Sequence, residues 1–235
     1  MSVVRPIVAL DVPDRAAAAL LVDRLGDEGD FYKVGLELFA AEGPDVVRWL
    51  RGLGKDVFLD LKFHDIPNTV RGACRSAARL GVALTTVHAY GGPATLAAAV
   101  EGAGEQGAGR CGVLAVTVLT SHSAAELGAA LGRAVADLPS EVLRLAAGAR
   151  AAGAHGVVCS GHEVAAVRAA HGDALAPLVP GVRLAGGAAH DQARVVTPAE
   201  AAARGARYVV LGRAVTAAPD PRAALVDARA QLGAR

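Results

Sequence analysis

The sequence predicts an α/β fold of the (β/α)8 TIM barrel type, as one domain over residues 1–235. Eight short apolar runs rich in β-branched residues alternate with alanine-rich segments of helical periodicity. The runs are apolar throughout, which is typical of parallel strands in a sheet whose two faces are both buried. Eight such units in 235 residues fit a closed barrel better than an open sheet.

Each predicted strand is followed by one predicted helix. In chain order the strands occupy residues 6–12, 31–37, 56–62, 84–89, 112–119, 155–160, 175–182 and 207–212. The helices occupy residues 15–25, 44–53, 69–80, 93–105, 140–152, 163–171, 198–204 and 221–232. Residues typical of helix starts support several of these segments, namely Asp14, Asn68 with Thr69, Ser123 with Glu126, and Thr197-Pro198 with Glu200.

Polar residues interrupt the apolar runs near the carboxyl ends of the predicted strands. Active sites of these barrels gather at that end of the barrel. Eight strands arrange the polar residues around one ring, which consists of Asp11, Lys33, Asp60, Lys62, His88, Thr120, Arg183 and Arg213. The ring therefore predicts a site built from carboxylates, ammonium groups and arginines.

Lysine is rare in this chain, with three lysines against 21 arginines. Lys33 and Lys62 lie in apolar runs, whereas Lys55 follows two glycines and is typical of a loop charge. An ammonium can release a proton and its pKa responds to its neighbours, while a guanidinium stays protonated. One strand lysine can equally be an edge residue that reaches solvent. Two strand lysines, one of them two residues from the carboxylate of Asp60, favour an active site.

Asp60-Leu61-Lys62 is the strongest motif. Strand alternation points Asp60 and Lys62 to the barrel interior and Leu61 to the helices. Paired opposite charges remain ionised in such an interior. The alternative is a structural ion pair, which is weakened by Asp65 just beyond the motif and by Lys33 on the preceding strand. These four residues predict an alternating array of two acids and two ammonium groups.

Two further strand ends carry arginine. Gly212-Arg213 follows the last strand, where such barrels commonly bind phosphate through backbone N–H groups and arginine, the alternative being a surface arginine. Arg183 ends the seventh strand and precedes a glycine-rich stretch that leads to Gln192. This stretch is typical of a lid that closes over a ligand, or of a flexible connection without that role.

Composition excludes several classes of function. A net charge of +1 and the lack of a basic run argue against nucleic acid as a partner, and no apolar run approaches membrane-spanning length. The seven histidines and three cysteines are scattered without metal-ligand spacing, which predicts no metal.

A Gly-x-Gly-x-x-Gly match at residues 102–107 resembles the dinucleotide-binding motif. It follows a predicted helix and precedes a predicted strand, the reverse of the order in a dinucleotide site. The default location is cytoplasmic.

Taken together, the motifs resemble the orotidine 5′-phosphate decarboxylase family over nearly the full chain. The resemblance rests on Asp11 with its flanking residues, on 32–37, on the decamer 60–69, on 116–121, on 180–183, on Asp191-Gln192 and on Gly212-Arg213. The Asp-x-Lys-x-x-Asp core is shared with ketogulonate-phosphate decarboxylases. The continuation Ile66-Pro67-Asn68-Thr69 and the Arg183/Gln192 loop are more specific. Departures are Tyr90, where serine is common, Leu184 and Ala214.

The resemblance implies decarboxylation of a nucleotide, orotidine 5′-phosphate, without a cofactor. Lys62 would protonate C6 of the pyrimidine, Asp60 would lie against the substrate carboxylate, and Lys33 and Asp65 would complete the array. Asp65 and Thr69 would reach the neighbouring site of a homodimer. The remaining contacts would come from Asp11 and Lys33 to ribose, from Thr120 to the pyrimidine, and from Gln192, Gly212, Arg213 and Arg183 to base and phosphate.

Two alternatives remain at this point. A sugar-phosphate decarboxylase or epimerase of the same barrel group, with Mg²⁺, would lose activity on chelation and would not bind a pyrimidine nucleotide. A non-catalytic sensor of phosphate ligands would be expected to have a broken lysine–carboxylate array, whereas every member is present here.

Overall fold

Eight parallel strands close into a barrel in the computed structural model, which describes residues 3–104, 111–183 and 196–233. The strands are β1 (Arg5–Leu10), β2 (Phe31–Val34), β3 (Asp56–Phe63), β4 (Leu84–His88), β5 (Gly112–Val116), β6 (Gly156–Val158), β7 (Ala176–Val179) and β8 (Tyr208–Leu211). Each pairs with the next, and β8 pairs with β1 to close the sheet. The predicted (β/α)8 fold is confirmed.

Helices follow the strands and surround the barrel. They are α1 (Arg15–Leu25), α2 (Leu36–Glu42), α3 (Asp45–Gly52), α4 (Pro67–Arg79), α5 (Gly92–Gly104), α6 (Ala124–Leu131), α7 (Leu138–Ala151), α8 (Val164–His171), α9 (Pro198–Ala203), α10 (Arg213–Thr216) and α11 (Pro221–Gln231). Within the described ranges, no helix has both the length and the apolar character needed to cross a bilayer.

Most predicted helix starts are confirmed. The Asp14 carboxylate accepts the Ala17 N–H at 2.8 Å, and both Ser123 and Thr197 form reciprocal capping boxes with the glutamate three residues on. The start of α4 was predicted wrongly. It begins at Pro67, with Ile66 in the cap position and no side-chain cap, because proline needs no N–H partner in the first turn and presets φ.

Three helices were not among the predicted segments. The second predicted strand ran to residue 37, but β2 ends at Val34 and α2 begins at Leu36. The apolar run continues across Gly35, so its composition does not show where strand becomes helix. α6 was signalled only by its capping box, and the four-residue α10 is too short to show periodicity.

The core has two layers because side chains alternate along each strand. Inward residues fill the barrel, including Ile7, Phe31, Phe58, Leu114 and Val210, and form one buried cluster. Outward residues of the same strands join the helices in a second, larger cluster. This alternation puts Lys33, two residues after Phe31, on the inward face together with the barrel core.

Pairing between β3 and β4 is interrupted close to the carboxyl end of β3. Leu59 pairs with Thr85, and pairing resumes only at Phe63 with Val87, so residues 60–62 of β3 lie opposite Thr86 alone. Lys62 lies in this interval with φ of 50°, the only non-glycine residue with positive φ in the described part of the chain. A bulge of this kind re-aims side chains at a strand end.

Candidate active site

A cleft of about 580 Å³ opens at the carboxyl ends of the strands. Ligand pockets commonly measure about 300–1,000 Å³, so the cleft can hold a small molecule. Its lining includes eight of the predicted site residues, namely Asp11, Lys33, Asp60, Lys62, Thr120, Arg183, Gly212 and Arg213. The structure therefore brings together side chains from strands that are far apart in sequence.

A second cavity of about 550 Å³ lies at the opposite end of the barrel. Three of its polar side chains have hydrogen-bond partners. His155 Nε2 lies 3.1 Å from the Tyr208 hydroxyl, and Arg5 donates to Asp56 at 3.1 Å. Sites of these barrels lie at the carboxyl-terminal face, where both strand lysines are found, so the first cleft is the candidate active site.

Lys33 and Asp11 form one ion pair of the cleft. The Lys33 ammonium donates to Asp11 Oδ1 at 2.6 Å, and the lysine side chain is only 10% exposed. Gly35 lies against this pair, since a Cβ at that position would be 2.9 Å from Lys33 Nζ and 3.1 Å from Asp11 Oδ1. The local sequence Lys-Val-Gly thus leaves room for a short, nearly buried ion pair.

Lys62 and Asp60 form the second ion pair. The Lys62 ammonium donates to Asp60 Oδ2 at 2.8 Å, and the side chains of Lys62 and Asp60 are 31% and 13% exposed. The Thr86 hydroxyl donates to Asp60 Oδ1 at 2.9 Å, so both oxygens of the carboxylate accept hydrogen bonds. Asp60 is therefore fixed, while the ammonium of Lys62 keeps access to the cleft.

Two histidines lie next to Lys62. The rings of His64 and His88 are 5.4 Å apart, and His88 is half-buried at the end of β4. Burial, followed by the charges of His64 and Lys62, lowers the pKa of His88 below its usual value of 6.5, against the opposing effect of Asp60. His88 is therefore neutral at neutral pH and adds no positive charge beside the Lys62 ammonium.

Two arginines also line the cleft. Arg183 follows β7 and is buried, with a guanidinium N–H donating to the Val182 carbonyl at 3.2 Å. Arg213 begins α10 directly after Gly212 and is exposed. Thr120, with its neighbour Ser121, lies in the loop after β5 and lines the same cleft. The cleft thus has lysine–carboxylate pairs at the ends of β1 to β3 and arginines at the ends of β7 and β8.

Two predicted residues lie outside the cleft of this chain. Asp65 and Thr69 are both exposed, and the Asp65 carboxylate accepts the N–H of Ile66 at 2.6 Å. Gln192 and the glycine-rich stretch before it fall outside the described residues. The described part of the chain has no group of three or more His, Cys, Asp or Glu that could hold a metal ion.

Two features of the site region were not predicted. Thr86 lies two residues after the inward Leu84 and two before His88, so strand alternation could have indicated it. Tyr90 donates to Glu141 Oε1 at 3.1 Å, and the same carboxylate accepts bonds from Arg133 and Arg144. Tyr90 therefore connects the loop after β4 to α7.

Comparison with known proteins shows the family of this chain. Residues 5–228 match the model of the orotidine 5′-phosphate decarboxylase / HUMPS family. The chain belongs to this family. The predicted resemblance is confirmed, and the match includes all eight strands of the barrel.

Named relatives in the family are similar over nearly their whole length. The orotidine 5′-phosphate decarboxylase of Anaeromyxobacter dehalogenans is 57% identical over 221 residues, covering 94% of each chain. That of Alkalilimnicola ehrlichii is 52% identical over 235 residues, covering 100% of this chain and 99% of the relative. A crystal structure of the Lactobacillus acidophilus orotidine 5′-phosphate decarboxylase superposes with a TM-score of 0.86 at 38% identity, covering 98% and 100% of the two chains.

Proposed function

We propose that this chain decarboxylates orotidine 5′-phosphate to uridine 5′-phosphate, a step of pyrimidine biosynthesis. The observation that carries the proposal is the Lys62–Asp60 ion pair in a cleft of suitable size at the carboxyl end of the barrel. The names of the relatives support the same reaction.

The reaction needs charge stabilisation at one carbon. Loss of carbon dioxide from an sp² ring carbon leaves a vinyl-type carbanion without an adjacent electron sink. A fixed ammonium at the developing carbanion stabilises this charge and then delivers a proton. Lys62 is the proposed donor to C6, because its ammonium is held by Asp60 and its side chain, 31% exposed, lines the cleft.

Asp60 is proposed to lie beside the carboxylate that leaves. Its two oxygens are bound by Lys62 and Thr86, so it cannot turn away from an approaching anion without breaking those bonds. It also holds the ammonium in place before the reaction starts. Such preorganised charge removes the need for rearrangement in the transition state.

The other cleft residues are proposed to bind the rest of the nucleotide. Lys33 and Asp11, as a fixed pair of donor and acceptor, suit ribose hydroxyl groups. Thr120 would face the pyrimidine. Arg183, Arg213 and the Gly212 backbone suit the phosphate, since arginine binds phosphate in a bidentate manner. Gln192, which lies outside the described residues, would complete the contacts to base and phosphate.

A homodimer with shared sites is part of the proposal. Asp65 and Thr69 are exposed around Ile66, a large apolar side chain that is itself 67% exposed. In a dimer, Ile66 would belong to the apolar centre of the interface, with Asp65 and Thr69 among its polar residues. In the dimer, Asp65 and Thr69 would reach the site of the partner and complete the array around Lys62.

The proposed chemistry is independent of cofactor and metal, because the two lysines supply the positive charge. An ultraviolet assay that follows loss of orotidine 5′-phosphate tests the proposed reaction. Chelator-treated enzyme is expected to retain its full rate. A requirement for added Mg²⁺, or turnover of a sugar phosphate in place of the nucleotide, would contradict it.

A further inference from the structure

Thr86 connects the backbone of Lys62 to the side chain of Asp60. It is fully buried, and its hydroxyl accepts the Lys62 N–H at 2.9 Å and donates to Asp60 Oδ1 at 2.9 Å. The other carboxylate oxygen accepts the Lys62 ammonium at 2.8 Å. The three residues thus form a closed ring of hydrogen bonds that contains both ends of the lysine.

The direction of each bond in this ring is determined by chemistry. A backbone N–H can only donate and an ionised carboxylate can only accept. The hydroxyl must therefore accept from Lys62 and give its single proton to Asp60. One hydroxyl group satisfies both partners, and no other orientation of it does.

The ring lies where the sheet is irregular. Residues 60–62 of β3 lie opposite Thr86 alone, and Lys62 has the left-handed φ of 50°. In place of a carbonyl of the β4 backbone, the Lys62 N–H bonds the Thr86 side chain. An unusual backbone conformation of this kind persists only when its surroundings hold it.

We propose that Thr86 is a positioning residue for the decarboxylation. It holds the Lys62 backbone in the conformation that directs the ammonium into the cleft, and it fixes the orientation of the Asp60 carboxylate. Thr86 is not among the residues that line the cleft, so it acts through Lys62 and Asp60 rather than on the substrate. This role rests on the proposed function.

Neighbouring positions of β4 allow a matched test. Thr86→Val keeps the shape and removes the hydroxyl, whereas Thr86→Ser keeps the hydroxyl. Thr85→Val is the control, because Thr85 is equally buried and its hydroxyl donates to the Leu59 carbonyl at 3.1 Å, on the helix-facing side of the strand. kcat and KM are measured for orotidine 5′-phosphate, and folding is checked by thermal unfolding.

Thr86→Val is expected to lower kcat by about 10- to 100-fold with KM within about threefold of wild type, because a displaced catalytic group costs rate rather than ground-state binding. Thr86→Ser should recover kcat to within about threefold, and Thr85→Val should stay within about twofold. If Thr86→Val does not fold, Thr86→Ala removes the same hydroxyl with less bulk and is judged identically.

The proposal is overturned if the valine or alanine variant keeps kcat within about threefold of wild type, or if the serine variant is as slow as the valine variant. Equal losses in Thr85→Val and Thr86→Val would also overturn it, since they would show a general effect on the fold. Absence of wild-type activity on orotidine 5′-phosphate would instead contradict the proposed function. This result is distinguishable, because wild-type activity is measured before any variant is compared.

Discussion

The Lys62 ammonium lies 2.8 Å from the Asp60 carboxylate, at a point where the pairing of β3 with β4 is irregular. The bulge at residues 60–62 gives Lys62 a positive φ, and the side chain still enters the cleft beside Asp60. A regular strand would also direct both side chains inward. The positive φ of Lys62, however, changes the angle at which its side chain leaves the backbone. The position of the proposed proton donor is therefore a property of the irregular strand end.

A shared active site predicts complementation between two inactive variants. Asp65 is exposed and bonds its own chain only at Ile66 among the bonds described, which suits a carboxylate that serves the partner. Mixing Asp65→Ala and Lys62→Ala chains should restore activity, because one site of each hybrid dimer receives both wild-type residues. With random exchange about half of the dimers are hybrids with one good site each, so roughly a quarter of wild-type activity should return.

Mass spectrometry of differently tagged chains would verify that subunits have exchanged before activity is measured. A mixture that stays as inactive as its parents after demonstrated exchange would show that Asp65 serves its own chain.

Gly35 is expected to be required for the geometry of the Lys33–Asp11 pair. In Gly35→Ala the new methyl group would lie 2.9 Å from the Lys33 ammonium, so the pair must move, while the backbone φ of −95° suits alanine. The variant should fold normally and raise KM by about tenfold, since the pair is proposed to bind ribose and one lost hydrogen bond is worth about 1–1.5 kcal/mol.

Gly148→Ala in α7 is the matched control, because a Cβ there meets no atom within 4 Å and its KM should be unchanged. An unchanged KM in Gly35→Ala would show that the pair does not contact the substrate.

The lowered pKa of Glu141 predicts that the protein loses stability in acid. Hydrogen bonds from Arg144, then from Arg133 and Tyr90, lower the pKa of Glu141 to about 2 from its usual 4.5, against the opposing effect of burial. A carboxylate whose pKa is depressed on folding stabilises the protein above its unfolded pKa, and this contribution is lost as the pH falls from about 4.5 towards 2. Because the two arginines are about half exposed, screening reduces the contribution to about 1–2 kcal/mol.

Urea unfolding of wild type and Glu141→Gln at several pH values measures this contribution. The variant should be less stable at pH 7, and the difference should shrink as the pH approaches 2. Glu101→Gln, which removes an exposed pair with Arg71, is the control and should change stability little. A difference between wild type and Glu141→Gln that does not vary with pH would contradict the assignment.

The sequence predicted the barrel because its signals are local. Apolar runs and capping residues are short-range patterns, and they located all eight strands and most helices. The cleft followed from the barrel, since strand ends converge at one face and bring Asp11 next to Lys33. What could not be predicted depends on contacts between strands. The φ of Lys62 and the role of Thr86 arise from an irregular pairing of β3 with β4, which no single segment encodes.

The most direct test of the central claim, that Lys62 donates the proton, is kcat of Lys62→Arg beside Lys62→Ala. The arginine variant keeps the positive charge but cannot release a proton, so both variants should lose nearly all turnover. Binding of uridine 5′-phosphate should survive in part, because the donor acts mainly in the transition state. Retention of more than about a tenth of wild-type kcat by Lys62→Arg would contradict the account. Removal of a proton donor lowers the rate by about 100-fold or more, and a loss of less than about tenfold would be too small.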